Sequence, residues 1–392
     1  MIFLNKFPRV SIFTGSRAEY GLLYWVIKEL ISREIFDINV VATGTHLSKK
    51  MGHTVTEIRN DFPDLIHEID IGLEGTSPHH ISAMMGKGIQ EFSNYFSSSG
   101  TDLIIILGDR FEILSVAVAA LPYNIPIAHI GGGEISEGVI DDSIRHCLTK
   151  LSHIHFPITK KCGERIKSLG ENPSNVHVVG STSLDILRKI RFLSKSQLSD
   201  MVGFNKEKRL MLFVYHPVTL EYRKTPEQIE NILSVINNFD FEIIMIYPNI
   251  DTSSNHVIER LDLFSKENTN VFLIKNMDRK NYLSLMNIAD IMVGNSSSGI
   301  VESPSFNLPV VNIGNRQAGR DKSKNIIDCS NSVNSITEAI NKVNNDEKFI
   351  QEIKEIRNPN GDGFASRRIA DILSEIDFNS FNIKKDSKFI NS

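Results

Sequence analysis

The stretch Leu103–Glu134, LIIILGDRFEILSVAVAALPYNIPIAHIGGGE, decides the fold. Leu103–Leu107 is an unbroken run of Leu and Ile, and it shows no in/out alternation. A strand of that kind is buried on both faces, as in a parallel sheet covered by helices. Gly108-Asp109-Arg110 ends it, Glu112–Leu121 reads as a helix, and Ile127–Ile130 is the next strand. Upstream the same alternation runs through strands Val10–Thr14, Ile38–Thr43 and Leu65–Ile69. The helices between them are Tyr20–Ile31, Met51–Asn60 and one within Pro78–Phe96. Downstream come helix Asp141–Lys150, strand Ile154–Phe156 and helix Lys160–Leu169. Strand and helix repeating in this way predict a doubly wound α/β layer.

The pattern restarts after Arg191–Lys208, a polar stretch rich in Ser, Lys and Asn that reads as a linker. Strands follow at Leu210–Tyr215, Glu242–Tyr247, Val271–Ile274, Asp290–Val293 and Pro309–Ile313. Helices alternate with them, one starting at Gly299, and Thr337–Val343, Asp346–Ile356 and Ala365–Ile376 close the chain. The expected architecture is therefore two Rossmann-like doubly wound domains facing a cleft, residues 1–190 and 209–364, with a helix around 365–377 packing back on the first. Ligands of open sheets sit beyond the carboxyl ends of the strands, so function is sought at those ends.

Composition removes several classes. With 43 Lys+Arg against 47 Asp+Glu in 392 residues, there is no basic excess for a nucleic-acid backbone. Cys147, Cys162 and Cys329 lie far apart, form no CxxC and are odd in number, which speaks for a reducing compartment and no disulfide framework. No apolar run approaches the ~20 residues that a bilayer requires, and the first residues lack a signal-peptide pattern. The expectation is a cytoplasmic protein with no membrane partner.

The strand ends carry the motifs. Gly15-Ser16-Arg17-Ala18-Glu19-Tyr20-Gly21 opens a helix without a P-loop ending. Free N–H groups there, with Arg17 beside them, suit a diphosphate. A plain strand-to-helix turn with a solvated arginine fits the spacing equally well. Gly294-Asn295-Ser296-Ser297-Ser298-Gly299 leads an apolar strand into a helix, with Glu302 about a turn later. Three serines exceed what one N-cap needs, which favours phosphate oxygens on Ser296 and Ser297 and ribose hydroxyls on Glu302. Gly108-Asp109-Arg110, His129–Glu134 and Asp141-Asp142 follow successive strands or open the next helix, so Asp109, Glu134 and Asp141 form a carboxylate cluster. Carboxylates sharing one site push their pKa values apart, giving an acid and a base. His216-Pro217-Val218-Thr219, Tyr247-Pro248-Asn249 and Asn315-Arg316 end strands of the second half and face the same way. No His, Cys or carboxylate spacing marks a metal site, and no GxSxG or HExxH is present.

With these residues collected, the chain resembles a hydrolysing UDP-N-acetylglucosamine 2-epimerase of the sialic-acid biosynthesis type. The resemblance runs from GSRAEYG at Gly15 through ATGTHLS at Ala42, GDRFE at Gly108, GGE…IDDSIRH ending at His146, HPVT at His216 and YPNID at Tyr247 to GNSSSG at Gly294 and NRQAGR at Asn315. It implies the glycosyltransferase-B-like pair of domains, no cofactor or metal, a UDP-sugar substrate and a homodimer or homotetramer. It further implies that Arg17, Ser296, Ser297, Glu302 and Arg316 hold uridine diphosphate, with Arg110, His216 and Asn249 near the diphosphate or sugar. Asp109 and Asp141 match the family's acid/base carboxylates. Several relatives carry Glu where this chain has Gly131, whereas Glu134 matches. The implied reaction eliminates UDP through a 2-acetamidoglucal and adds water, yielding N-acetylmannosamine. The alternatives are the same reaction on a UDP-2,4-diacetamido-6-deoxyhexose, a glycosyltransferase of this architecture, and a non-catalytic sugar-nucleotide sensor.

Overall fold

The computed structural model describes residues 7–49, 52–72, 77–135, 140–248, 254–275, 277–378 and 380–385. The chain divides into two units, one of residues up to Ile186 together with those from Asn360 onward, the other Leu187–Pro359.

In the first unit the described strands are β1 (Arg9–Thr14), β2 (Asp37–Thr43), β3 (Ile66–Ile69), β4 (Leu103–Leu107), β5 (Ile127–Ile130) and β6 (Ile154–Phe156). They lie in the order β3-β2-β1-β4-β5-β6, parallel throughout. The order reverses between β1 and β4, and that is where a doubly wound sheet opens a crevice beyond its carboxyl edge. Burial on both faces is explicit in β4: Leu103, Ile105 and Leu107 join one apolar cluster, and Ile104 and Ile106 the other. The first cluster also takes Ile369, Ala370 and Leu373 from the helix Ala365–Ser374, which packs with the helix Arg17–Ser32. Asp185 fixes its start by accepting from the N–H groups of Ala365 (2.9 Å) and Ser366 (2.6 Å). Those are two of the donors that a helix leaves unpaired at its N-terminus.

The second unit repeats the plan with β7 (Leu210–Val214), β8 (Glu242–Ile246), β9 (Val271–Ile274), β10 (Ile291–Gly294), β11 (Val310–Ile313) and β12 (Ile326–Cys329). Its order, β12-β11-β10-β7-β8-β9, is that of the first sheet read from the other edge, with the switch between β7 and β10.

Three sequence expectations need correction. Arg191–Lys208 is not a plain linker: it holds the helix Lys195–Val202, closed by a capping box between Ser194 and Gln197. β12 was not foreseen, because an edge strand that is only half-buried lacks the apolar run that marks its neighbours. The helix expected from Gly299 is a single turn, Ser298–Val301, followed by a 3-10 turn at Ser303–Phe306. Pro304 has no N–H to continue the ladder, and the Ser303 hydroxyl donates back to the Gly299 carbonyl (2.6 Å).

Candidate active site

In the first unit Gly15–Arg17 and Asp109-Arg110 follow the two strands of the switch point, β1 and β4; in the second, His216 and Asn295–Ser297 follow β7 and β10. In the first, Gly108 adopts a left-handed conformation (φ +76°) that turns the chain out of β4. Asp109 and Arg110 do not pair with each other. Arg145, almost wholly buried, donates to the Asp109 carboxylate, to Asp142 Oδ1 (3.3 Å) and to the Glu134 carbonyl (3.0 Å). A guanidinium is built for this forked donation. Arg145 thus ties the end of β4, the turn after β5 and the helix Ile140–Leu151 into one constellation. Its signal in the sequence is a cation one helical turn beyond Asp141-Asp142, which spacing alone does not tell from a solvated arginine.

Asp141 opens that helix. Desolvation of its carboxyl first, and the charge of Asp109 second, push its pKa up. Asp109 and Asp141 therefore sense each other. Glu134 joins them through its backbone carbonyl, while its carboxylate is felt by Cys162, whose buried thiol it helps to raise. His129, fully buried, donates from Nε2 to the Gly108 carbonyl (2.8 Å), and burial lowers its pKa to about 3. It is a neutral strut under the Asp109 turn.

Arg110 instead bonds Glu112 (Nε to Oε1, 2.6 Å). The Gly15–Gly21 turn differs from expectation as well. The Gly15 N–H donates to Glu19 Oε2 (2.9 Å), and so does the Ser16 hydroxyl (3.1 Å). Arg17 is exposed and ion-paired with Glu57 at 3.0 Å, so it is not the fixed cation that the spacing suggested. Short side-chain loops had closed on themselves where the sequence showed only open donors.

In the second unit Asn295 is the hub, and sequence reasoning passed it over. Its side chain accepts from the His216 N–H (2.7 Å) and donates to the His216 carbonyl (2.8 Å). Its own carbonyl accepts from Arg316 Nη1 (3.2 Å) and Gln317 Nε2 (2.9 Å). His216 and Arg316 are thus brought to one point, although one follows β7 and the other β11. His216 is buried, and burial first, then the positive Arg316, lower its pKa to about 4. Gly294 precedes the hub at φ +139°, where a Cβ would lie 1.9 Å from the Val214 carbonyl, so no other residue fits without moving β7.

After Asn295, the Ser296 hydroxyl bonds that of Ser298 (2.9 Å), which also bonds the Tyr282 hydroxyl. Ser297 is exposed. Among the described residues the backbone N–H groups of Ser296 and Ser297 have no protein acceptor. With only one helical turn behind them, they offer direct hydrogen bonds rather than a long helix dipole. Glu302, buried, is bonded by Arg279. Asn249 lies outside the described residues.

Residues 28–374 match the family described as UDP-N-acetylglucosamine 2-epimerase. The chain belongs to that family. Among its relatives is the UDP-N,N'-diacetylbacillosamine 2-epimerase (hydrolyzing) of Legionella pneumophila, 33% identical over 377 residues that span 96% of this chain and 98% of that one. Polysialic acid biosynthesis protein P7 of Escherichia coli is 35% identical over 353 residues, 90% of each chain. The crystal structure of UDP-GlcNAc 2-epimerase from Neisseria meningitidis bound to UDP-GlcNAc shares the fold, with a TM-score of 0.71 at 20% identity, covering 94% of this chain and 100% of that one. Among the described residues no helix is long and apolar enough to cross a membrane.

Proposed function

We propose that this epimerase-family chain hydrolyses a UDP-linked 2-acetamido sugar with inversion at C2. The observation that carries this reading is the Asp109–Arg145–Asp142 constellation with Asp141 beside it, at the switch point of the first sheet. Two carboxylates in unlike surroundings suit a reaction that moves a proton off one face of a carbon and onto the other. Asp109, ion-paired with Arg145, takes the C2 proton. The C2–H electrons form the C1=C2 bond, and the C1–O pair leaves with UDP. Water then adds its oxygen to C1 and gives its spare proton to solvent. Asp141, whose burial favours the protonated form, delivers one to the opposite face of C2. Exchange with solvent takes the proton from Asp109 and returns one to Asp141.

The leaving diphosphate gathers negative charge, and donors already aimed at it lower the barrier. Ser296 and Ser297 supply N–H groups and hydroxyls, with Arg316 beside His216 adding positive charge. Glu302 binds the ribose, oriented by Arg279. Arg110 and Arg17 are assigned to the diphosphate or sugar, Arg17 after release from Glu57, and Asn249 to the same role. Glu134 lines the sugar side.

Two sugars fit. Gly131 sits at φ +80°, and a Cβ there would meet nothing within 4 Å, so this position leaves room beside the carboxylates. That space, together with the name of the Legionella relative, favours a 2,4-diacetamido-6-deoxyhexose. N-acetylglucosamine is the second reading, supported by the family description and by the E. coli relative's place in polysialic acid biosynthesis. Proton NMR in D2O on each sugar nucleotide, with no acceptor present, tests both. The expected products are UDP and the free C2 epimer, deuterated at C2. UDP release that needs an acceptor would instead make the chain a glycosyltransferase, and binding without turnover would make it a sensor.

A further inference from the structure

Glu112 stands where three strands of the first sheet end. It comes from the first turn of the helix Phe111–Ala120, its side chain fully buried. A Cβ added to Gly15, after β1, would lie 2.6 Å from its Cγ and Oε1, and one added to Gly44, after β2, would lie 2.9 Å from Oε1. Both glycines therefore leave room for the carboxylate. Gly44 is held as glycine also by its left-handed backbone (φ +58°) and by the Gly15 carbonyl, 2.9 Å from where its Cβ would lie. Glu112 Oε1 accepts from Arg110 Nε. A second buried acid, Glu19, accepts from the Gly15 N–H (2.9 Å), so both carboxylates pack against the same glycine. The charge of Glu112 repels Glu19, while that of Arg110 attracts it. One Glu19 oxygen is used by Gly15 and Ser16. Glu19 Oε1 and Glu112 Oε2 are each buried with no hydrogen-bond partner among the described residues.

The other groups packed around this pair do not balance it. His46, from the turn after β2, is held at Nε2 by Thr14 (3.0 Å) and at Nδ1 by Thr54 (2.8 Å). Burial lowers its pKa to about 4, so it carries no charge near neutrality. Arg17 is turned outward to Glu57. When ionised, Asp141 also attracts Arg110 and so competes with the pair for its charge. Two buried carboxylates then face a single guanidinium, and an unpaired buried charge is far costlier than a bound proton.

We propose that Glu19 and Glu112 share one proton between Glu19 Oε1 and Glu112 Oε2, and that this acid pair is the positioning device that holds Arg110 and the Gly15–Tyr20 turn at the switch point. Burial first, and Glu112 second, push Glu19 up to about 8, in keeping with a proton retained at neutral pH. With that proton in place, Glu19 accepts from Gly15 and Ser16 while Glu112 keeps its charge for Arg110. Loss of the proton sets the two carboxylates against each other and loosens all three strand ends together. Its bearing on turnover rests on the epimerase reading; its existence does not.

The test is infrared difference spectroscopy of the full chain. Wild type minus E19Q should show the carbonyl band of a protonated carboxylic acid, shifted in D2O. Wild type minus E112Q should show the same band, because removing Glu112 takes away its repulsion and frees Arg110 to pair with an ionised Glu19. No band in the first difference overturns the proposal. A band that survives E112Q also overturns it, since the proton then belongs to Glu19 alone. Where E112Q does not fold, E19Q decides through Tm. The native acid keeps a proton that the unfolded chain releases above its ordinary value of 4.5, so wild-type stability falls as pH rises toward 8. E19Q lacks that loss, and its Tm should gain on the wild type from pH 5 to 8 and then level off; a constant difference overturns the proposal. In turnover, E19Q should retain at least about tenfold more activity than E19A, because Gln keeps the acceptor for Gly15 and Ser16. Should the wild type release no UDP from either sugar nucleotide, the epimerase reading falls, and the infrared and Tm comparisons still decide the proton.

Discussion

Arg145 and Asn295 do the same work on the two sheets: each gathers groups that the chain keeps far apart. Asp109→Asn should lower kcat by about 10²–10⁴-fold, as removal of a general acid or base does. Its KM or Kd for the sugar nucleotide should change far less, and steady-state kinetics with calorimetry checks both. Arg145→Leu removes the partner of a partly buried carboxylate, so a loss of stability of about 3–5 kcal/mol in urea titration is expected. Asn295→Ala removes its hydrogen bonds to the buried N–H and carbonyl of His216, at about 1–3 kcal/mol for each bond lost. A urea midpoint shift matching only a surface substitution would show that the hub role is wrong. The motif around each residue was legible. Which acid pairs with which base was not, because Asp109 and Arg145 are 36 positions apart.

Elements were read well where burial on both faces wrote itself into composition, as in Leu103–Leu107 and Leu210–Val214. They were read poorly where a cap or a single hydrogen bond sets the boundary. Asp185 is a case in point: its carboxylate serves as the missing N-cap for a helix that begins 180 residues later. Asp185→Ala should cost about 0.5–2 kcal/mol, the usual range for a lost cap. Hydrogen exchange localises the effect, and protection should fall across Ala365–Ser374 while Val310–Ile313 is unchanged. The serine turn after β10 teaches the complementary lesson. Its hydroxyls suggested a long helix N-terminus, whereas Pro304 and the Ser303 hydroxyl stop the helix after one turn.

At the scale of the molecule, the first unit is discontinuous, and its core is completed by residues after Asn360. A chain ending at Pro359 would uncover the apolar face of the helix Arg17–Ser32. Each large side chain that loses full burial costs about 1.5–3 kcal/mol, so the first unit should melt while the second keeps a cooperative transition. Scanning calorimetry separates the two. Acid should act on both units through buried histidines. His129 and His216 have native pKa values near 3 and 4, below the ordinary 6.5, mainly because of burial. Their contribution is intact above about pH 6.5, where neither state binds the proton, and is lost as pH falls toward 4, because the unfolded chain protonates first. Tm should therefore drop between pH 6.5 and 4, and less steeply in His129→Gln. By itself the sequence determined the layered α/β class, the strands buried on both faces and the family, since hydrophobic runs and motifs are local and survive in one dimension. Only the tertiary structure decided the pairings: Arg145 with Asp109, Arg110 with Glu112, Glu19 with the Gly15 turn, Arg279 with Glu302. Ion pairs and shared protons depend on distances of a few ångströms and on exclusion of water, and chain spacing encodes neither.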